Sequence, residues 1–200
     1  QVSKSDFSTY EDLAKPRWKG RLCLRTCKKV YNRSLIASMI DAYGFDNSKK
    51  IVTGWVSNLA TEVFSNDTNA LKAVSSGQCG VTIVNTYYLA RLLDDPKYDN
   101  LELVWANQND RGVHVNISGA GIVKTSQNKK EAQKLLEYLS SDSAQDFYAS
   151  ANKEYPVLKD ANVAESIMVW GAFIEDEINV SKLGSLQKEA VFLAQEVGYK

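Results

Sequence analysis

Apolar residues recur every three or four positions in several parts of the chain, which is the spacing typical of amphipathic helices. The clearest pattern runs from Ile51 to Val63, and Asn47 stands before it as a candidate N-cap. Similar patterns predict helices from near Asn32 to Gly44, from Asp67 to Gly77, from Leu89 to Asp94, and over about 128–140, 142–151 and 185–197. Glycine or proline follows several of these patterns, as expected where a helix ends.

Other apolar stretches are short or alternate with polar residues, and these predict strands. Residues 21–26 and 79–84 are the best defined, and 101–106 and 113–124 are predicted as further strands. Strands that alternate with helices along a chain favour an α/β fold with mostly parallel sheets. In such sheets, ligands bind beyond the carboxyl ends of the strands, near the N-termini of the helices that follow.

The composition limits the classes of protein to which the chain can belong. Its 200 residues are enough for one large domain or two small ones. The 24 basic and 24 acidic residues balance, so no basic excess is available for a nucleic-acid partner. The longest apolar runs, such as Val81 to Val84, are too short to span a membrane, so stable membrane insertion is not expected. The polar first residues do not form a signal peptide, which indicates a cytosolic protein or one whose signal was removed.

The three cysteines, Cys23, Cys27 and Cys79, cannot all pair within the chain. Cys23 and Cys27 have no second group of Cys or His with which to complete a zinc site. Buried free thiols are the favoured interpretation, and one disulfide is the alternative. The cysteines therefore do not define the cellular compartment.

Tyrosines stand at two of the predicted strand-to-helix junctions. Tyr87 and Tyr88 follow the strand 79–84, and Tyr31 lies between the strand 21–26 and the helix that begins near Asn32. Adjacent side chains in the first turn of a helix diverge by only about 100°, so both phenols of a pair can face one small ligand. Phenolate is a hard, anionic oxygen donor that suits ferric iron, and three phenolates would neutralise its charge.

A packing role is the alternative for each of these side chains, because the chain has ten tyrosines. Arg91, one turn beyond Tyr88, either donates to a phenolate oxygen or is a surface arginine. His114 is the single histidine, and we expect it to pack in a strand rather than to bind metal. One histidine leaves few ways to build Ser-His or Cys-His catalysis, so an enzyme is not expected.

Several segments along the chain match a known family of binding proteins. The segment 85–89, which contains the tyrosine pair, is the most specific. The others are 22–26, 28–32, 54–60, 64–68, 111–121, 154–157 and 198–200. With these segments the chain resembles the ferric-iron-binding periplasmic proteins of ABC transporters, in the tyrosine-rich branch common in cyanobacteria. The resemblance covers essentially all 200 residues.

The resemblance implies a type II periplasmic binding protein, which is a two-lobed α/β protein that closes on iron by hinge motion. It implies that Tyr31, Tyr87 and Tyr88 bind the metal and that Arg91 adjusts the site. We therefore expect an extracytoplasmic monomer that passes Fe³⁺, with Fe²⁺ as a further possibility, to the permease subunits of a transporter. No organic cofactor and no enzymatic activity are expected. The alternative is the same scaffold binding a small anion or an organic solute.

The resemblance also predicts how the chain divides. Residues 1–117 and 170–200 are expected to form the second lobe, which carries the tyrosines, and 118–169 a partial first lobe. Family members begin with a further N-terminal segment that builds most of the first lobe and supplies another ligand. An exposed apolar face is then expected on the helices 128–140 and 142–151. Asp67 stands where some relatives have an anion-binding asparagine, and its carboxylate favours a site without an accompanying anion.

Overall fold

The computed structural model describes residues 2–200. By packing, the chain divides into two compact units, one formed by the residues up to Asn116 together with Ala172–Lys200, and the other by Ile117–Gly171. In chain order the helices are α1 Val30–Tyr43, α2 Phe45–Ser57, α3 Asp67–Ser75, α4 Thr86–Leu92, α5 Lys129–Leu139, α6 Asp142–Asn152, α7 Glu165–Met168, α8 Val180–Ser185 and α9 Gln187–Glu196. The assignment of the two units to the lobes of a binding protein remains a prediction.

A small parallel sheet lies within the first unit. Strands β1 (Leu22–Cys23) and β2 (Val81–Thr82) pair in parallel, with Leu22 opposite Val81. Single parallel bridges also join Leu22 to Leu59 and Arg25 to Phe64. The predicted α/β fold with parallel pairing is therefore confirmed, although both strands are shorter than their sequence patterns.

Two of the predicted strands are wrong. In the part of the chain that the structure describes, no strand forms over 101–106, and within 113–124 only Val113 makes a bridge, to Glu175. Alternation in a sequence records which side each residue faces. A strand also needs a hydrogen-bonded neighbour, and that depends on residues far away in the chain.

The helices agree well with the sequence patterns, and their ends have local causes. α1 ends at Tyr43, where Gly44 takes a φ of 77°, a value that favours glycine. α2 ends at Ser57, although its apolar pattern continues to Val63, because Leu59 leaves the helix to bridge β1. The short helices α7 and α8 were not predicted.

The core of the first unit lies between its sheet and the helices α1, α2 and α9. Its largest fully buried side chains include Trp18, Trp55 and Ile36. The indole Nε1 of Trp55 donates to the carbonyl oxygen of Tyr10 over 2.9 Å, so the polar edge of this buried ring is satisfied. The packed core holds β1 and β2 in place and so determines where the helices after them begin.

The interpretation of three free thiols is wrong. Cys23 and Cys79 form a disulfide, whereas Cys27 is free and buried. The disulfide links Cys23 of β1 to Cys79, which lies two positions before β2, the strand that pairs with β1. Burial raises the pKa of the Cys27 thiol to about 11, so this thiol is protonated and poorly reactive at neutral pH.

Two passages of the chain run in parallel near the boundary of the first unit. The amide of Val113 donates to Ile174 O over 2.8 Å, and the amide of Asp176 donates to Val113 O over 2.9 Å. Gly112 precedes this bridge with a φ of 85°, and a Cβ added there would lie 2.5 Å from the backbone of Glu175. Only glycine fits this close approach without moving the backbone.

In the second unit, α5 and α6 carry apolar side chains that face solvent. Leu135 is 56% exposed, Tyr138 58% and Phe147 67%. The exposed apolar face expected on these helices is therefore present. Among residues 2–200, every helix falls short of the length and apolar content needed to cross a membrane.

Candidate metal centre

Tyr31 and Tyr87 occupy equivalent positions in the fold. Each is the second residue of a helix, α1 and α4 respectively, and each helix follows one of the two paired strands. Because the carboxyl ends of parallel strands meet at one edge of a sheet, the first turns of the two helices come together. The phenol oxygen of Tyr87 lies 3.5 Å from that of Tyr31, although the residues are 56 positions apart in the chain.

Tyr88 lies beside this pair because its ring contacts that of Tyr87. Its ring packs on that of Tyr87, with centroids 4.3 Å apart and planes 36° apart. The rings of Tyr31, Tyr87 and Tyr88 are all half-buried, so they are partly shielded yet reachable from solvent. The structure thus brings together the three tyrosines that the sequence singles out.

Two arginines lie over the faces of these rings. The guanidinium carbon of Arg91 is 5.1 Å from the ring centroid of Tyr87, and that of Arg25 is 4.7 Å from the ring centroid of Tyr31. Both distances are within the range of cation–π interactions. Arg91 was singled out from the sequence and Arg25 was not. The signal that the sequence offers for Arg25 is its place near the end of the predicted strand 21–26, before the junction that carries Tyr31.

A buried ion pair between Arg25 and Asp67 contacts the start of both α1 and α4. Asp67 is fully buried, and its Oδ1 lies 2.8 Å from Nη1 of Arg25, which is itself only 3% exposed. The other carboxylate oxygen of Asp67 accepts from both the backbone and the side-chain N–H of Asn85, each over 3.1 Å. Burial raises the pKa of Asp67, and the hydrogen bonds from Asn85 and the nearby charge of Arg25 oppose that rise.

This geometry removes the reason for which Asp67 was expected to exclude an anion. The carboxylate points into the protein, where Arg25 balances its charge. What Asp67 does instead is hold Arg25 against Tyr31 and hold Asn85 at the start of α4. The sequence could not distinguish these roles, because they depend on where α3 packs.

His114 lies outside the tyrosine group. Its Nε2 is 2.6 Å from Oγ of Ser34, a residue of α1. Burial, with a smaller effect from Arg111, lowers the pKa of His114 to about 4, so the ring is neutral at physiological pH. Within residues 2–200, no cluster of three or more His, Cys, Asp or Glu side chains could hold a metal ion. The phenols are therefore the candidate donors.

The three phenols influence one another. Burial raises the pKa of Tyr87 well above its ordinary range, and the neighbouring phenols Tyr31 and Tyr88 raise it further. Tyr87 is therefore neutral when no cation is bound. A cation of high charge reverses this balance, since it stabilises the phenolate form and displaces the proton. A hard, highly charged cation bound by these phenols would therefore displace their protons.

An α/β fold with polar side chains gathered beyond parallel strands is typical of proteins that bind small solutes. Residues 8–173 match the model of the family described as bacterial extracellular solute-binding proteins. The chain belongs to this family. Its fold is that of the type II periplasmic binding proteins, and the resemblance to the ferric-iron-binding branch is confirmed by its relatives.

Three relatives illustrate this. Iron uptake protein A1 of a Synechocystis strain is 42% identical over 206 residues, which cover 100% of this chain and 57% of that protein. A Trichodesmium protein (IdiA, FutA), solved in complex with iron and citrate ligands, is 42% identical with a TM-score of 0.95, over 100% of this chain and 65% of that one. A ferric binding protein from Campylobacter jejuni is 33% identical with a TM-score of 0.94, again over 100% and 65%. The chain therefore spans roughly three fifths of the length of such relatives.

Proposed function

We propose that this chain binds ferric iron through the phenolates of Tyr31, Tyr87 and Tyr88, with Arg91 adjusting the site. One observation carries the proposal: the phenol oxygens of Tyr31 and Tyr87 lie 3.5 Å apart. If two oxygens each bind one small cation at about 2 Å, a separation of 3.5 Å corresponds to an oxygen–metal–oxygen angle of roughly 120°. The free protein thus already has two donors at a separation that one metal ion can bridge.

The charge of the donors favours Fe³⁺ over Fe²⁺. Three phenolates neutralise a trivalent ion, whereas they overcompensate a divalent one, so Fe²⁺ would bind more weakly. No organic cofactor is required for this function. Binding with release to a partner, rather than catalysis, is the proposed activity, since Nε2 of the single histidine lies against Oγ of Ser34.

We further propose that the protein works outside the cytoplasm and passes iron to the permease subunits of an ABC transporter. Its membership of an extracellular solute-binding family supports this role. The iron-related names of its relatives support it as well. The disulfide between Cys23 and Cys79 fits an oxidising compartment such as the periplasm.

A small anion or organic solute is the second candidate ligand. The observation that favours it is the pair of guanidinium groups over the rings of Tyr31 and Tyr87. In that case the tyrosines would donate hydrogen bonds as neutral phenols, and no phenolate would form. The two candidates therefore differ in whether a visible absorption band appears with iron.

Titration of the purified chain with ferric iron, followed by visible absorbance, tests the proposal. We expect a phenolate-to-iron charge-transfer band in the wild type and its loss in the double variant Tyr87→Phe, Tyr88→Phe. Tyr138→Phe is the matched control, because Tyr138 is an exposed tyrosine of the second unit. A band that survives in the double variant would show that the ligands are assigned wrongly. A wild type without any band would refute iron binding by this chain.

A further inference from the structure

A continuous chain of hydrogen bonds crosses from α1 to α4 beside the tyrosines. Ser34, one helical turn beyond Tyr31, donates from Oγ to Oδ1 of Asn116 over 2.9 Å. Asn116 in turn donates from Nδ2 to Oδ1 of Asn85 over 2.8 Å. Asn85 immediately precedes α4, so the chain ends two residues before Tyr87. It therefore links the two helices next to the turns that carry the proposed ligands.

Asp67 determines the direction in which these hydrogen bonds run. A carboxylate only accepts, so Asn85 presents both its backbone N–H and its side-chain N–H to Asp67. The side-chain oxygen of Asn85 is then left to accept from Asn116. The oxygen of Asn116 accepts from Ser34 in the same way. The accepting oxygen of Asp67 thus orients the side-chain amide of Asn85, and through it that of Asn116.

Asn85 takes part in this chain instead of capping its own helix. An asparagine before a helix usually accepts from a backbone N–H in the first turn, as Asn66 does from Asn69 before α3. The side chain of Asn85 makes no such cap on α4. A helix of seven residues that lacks this cap is instead held by Asp67 and Asn116, which come from other parts of the first unit.

We infer that Asn85 and Asn116 are positioning residues, which hold Tyr31 and Tyr87 at the separation that lets both phenols bind one cation. This inference rests on the proposed function of the tyrosines. The asparagines act through the helices, by fixing the first turn of α4 relative to α1. Residues that orient metal ligands in this way typically contribute about 10- to 100-fold to metal affinity.

Two variants at Asn116 test the inference, since this side chain is exposed and its replacement leaves the core intact. Asn116→Ala removes both hydrogen bonds. Asn116→Asp keeps the size of the side chain and the acceptor for Ser34 but has no N–H to donate to Asn85. Asn100→Ala is the matched control, because Asn100 is also exposed and also makes two hydrogen bonds with its amide. Its Oδ1 accepts from Oγ of Ser75, and its Nδ2 donates to the carbonyl oxygen of Ser75.

The first measurement is ferric affinity and the wavelength of the charge-transfer band. The second is the ring signals of Tyr31 and Tyr87 in NMR spectra of metal-free protein with labelled tyrosine. We expect both Asn116 variants to lose about 10- to 100-fold in affinity, to shift the band and to move both ring signals. Asn100→Ala should do none of these.

Affinity in Asn116→Ala within twofold of the wild type would overturn the inference. Wild-type affinity in Asn116→Asp would overturn the assigned direction of the hydrogen bonds. If the wild type itself shows no band, iron binding fails as the function, and the NMR measurement still decides the positioning role. Unchanged ring signals of Tyr31 and Tyr87 in Asn116→Ala would then refute it.

Discussion

The affinity for ferric iron should fall steeply as the pH is lowered, and the steepness reports how many tyrosines bind. Tyrosine phenols are neutral near pH 7 when no cation is present, and for Tyr87 burial makes ionisation harder still. Each phenol that becomes a phenolate ligand therefore releases one proton on binding. Because protons compete with the metal for each phenolate oxygen, binding is favoured at higher pH and is lost as the pH falls.

The magnitude follows from the number of phenols in the site. One proton released per ligand corresponds to a factor of ten, or about 1.4 kcal/mol, for each pH unit. Three tyrosines predict about a 1,000-fold loss of affinity from pH 7.5 to 6.5. Removing Tyr31 as a ligand by Tyr31→Phe should reduce this to about 100-fold, because two phenols remain. The neighbouring His114 does not add to the slope, since its pKa of about 4 keeps it neutral throughout.

Competition with a chelator of known protonation, read from the charge-transfer band at several pH values, measures this slope. Tyr138→Phe should keep the wild-type slope of three, because that side chain lies in the second unit. Equal slopes for the wild type and Tyr31→Phe would show that Tyr31 is not a ligand. A wild-type slope of one or less would refute binding by several phenolates.

Two further predictions concern stability. The disulfide between Cys23 and Cys79 closes a separation of 56 residues, for which chain entropy predicts a contribution of about 4 kcal/mol. Urea unfolding with and without a reductant measures it, and equal midpoints would contradict it. Gly112→Ala should destabilise by more than Gly44→Ala in thermal unfolding. Both glycines have positive φ, but only at Gly112 does a Cβ meet backbone, that of Glu175. Equal melting temperatures for the two variants would contradict this prediction, because the backbone near Glu175 would then accommodate the added Cβ without loss of stability.

The sequence by itself determined the local features of this protein. Apolar spacing located α1, α3, α5 and α6 closely, because the face that a helix buries repeats along the chain. The tyrosines at two strand-to-helix junctions were also visible, since the ends of strands and helices carry local signals. Local pattern failed for the strands expected over 101–106 and 113–124, which need partners that the pattern does not specify.

Only the tertiary structure decided which distant residues meet. The pairing of β1 with β2 brings Cys23 to Cys79 and the phenol of Tyr31 to within 3.5 Å of that of Tyr87. Asp67 is likewise buried against Arg25, a contact between residues 42 positions apart that the sequence does not predict. These contacts join residues tens of positions apart, and they follow from the register of the strands and the packing of the core. No local periodicity encodes that register.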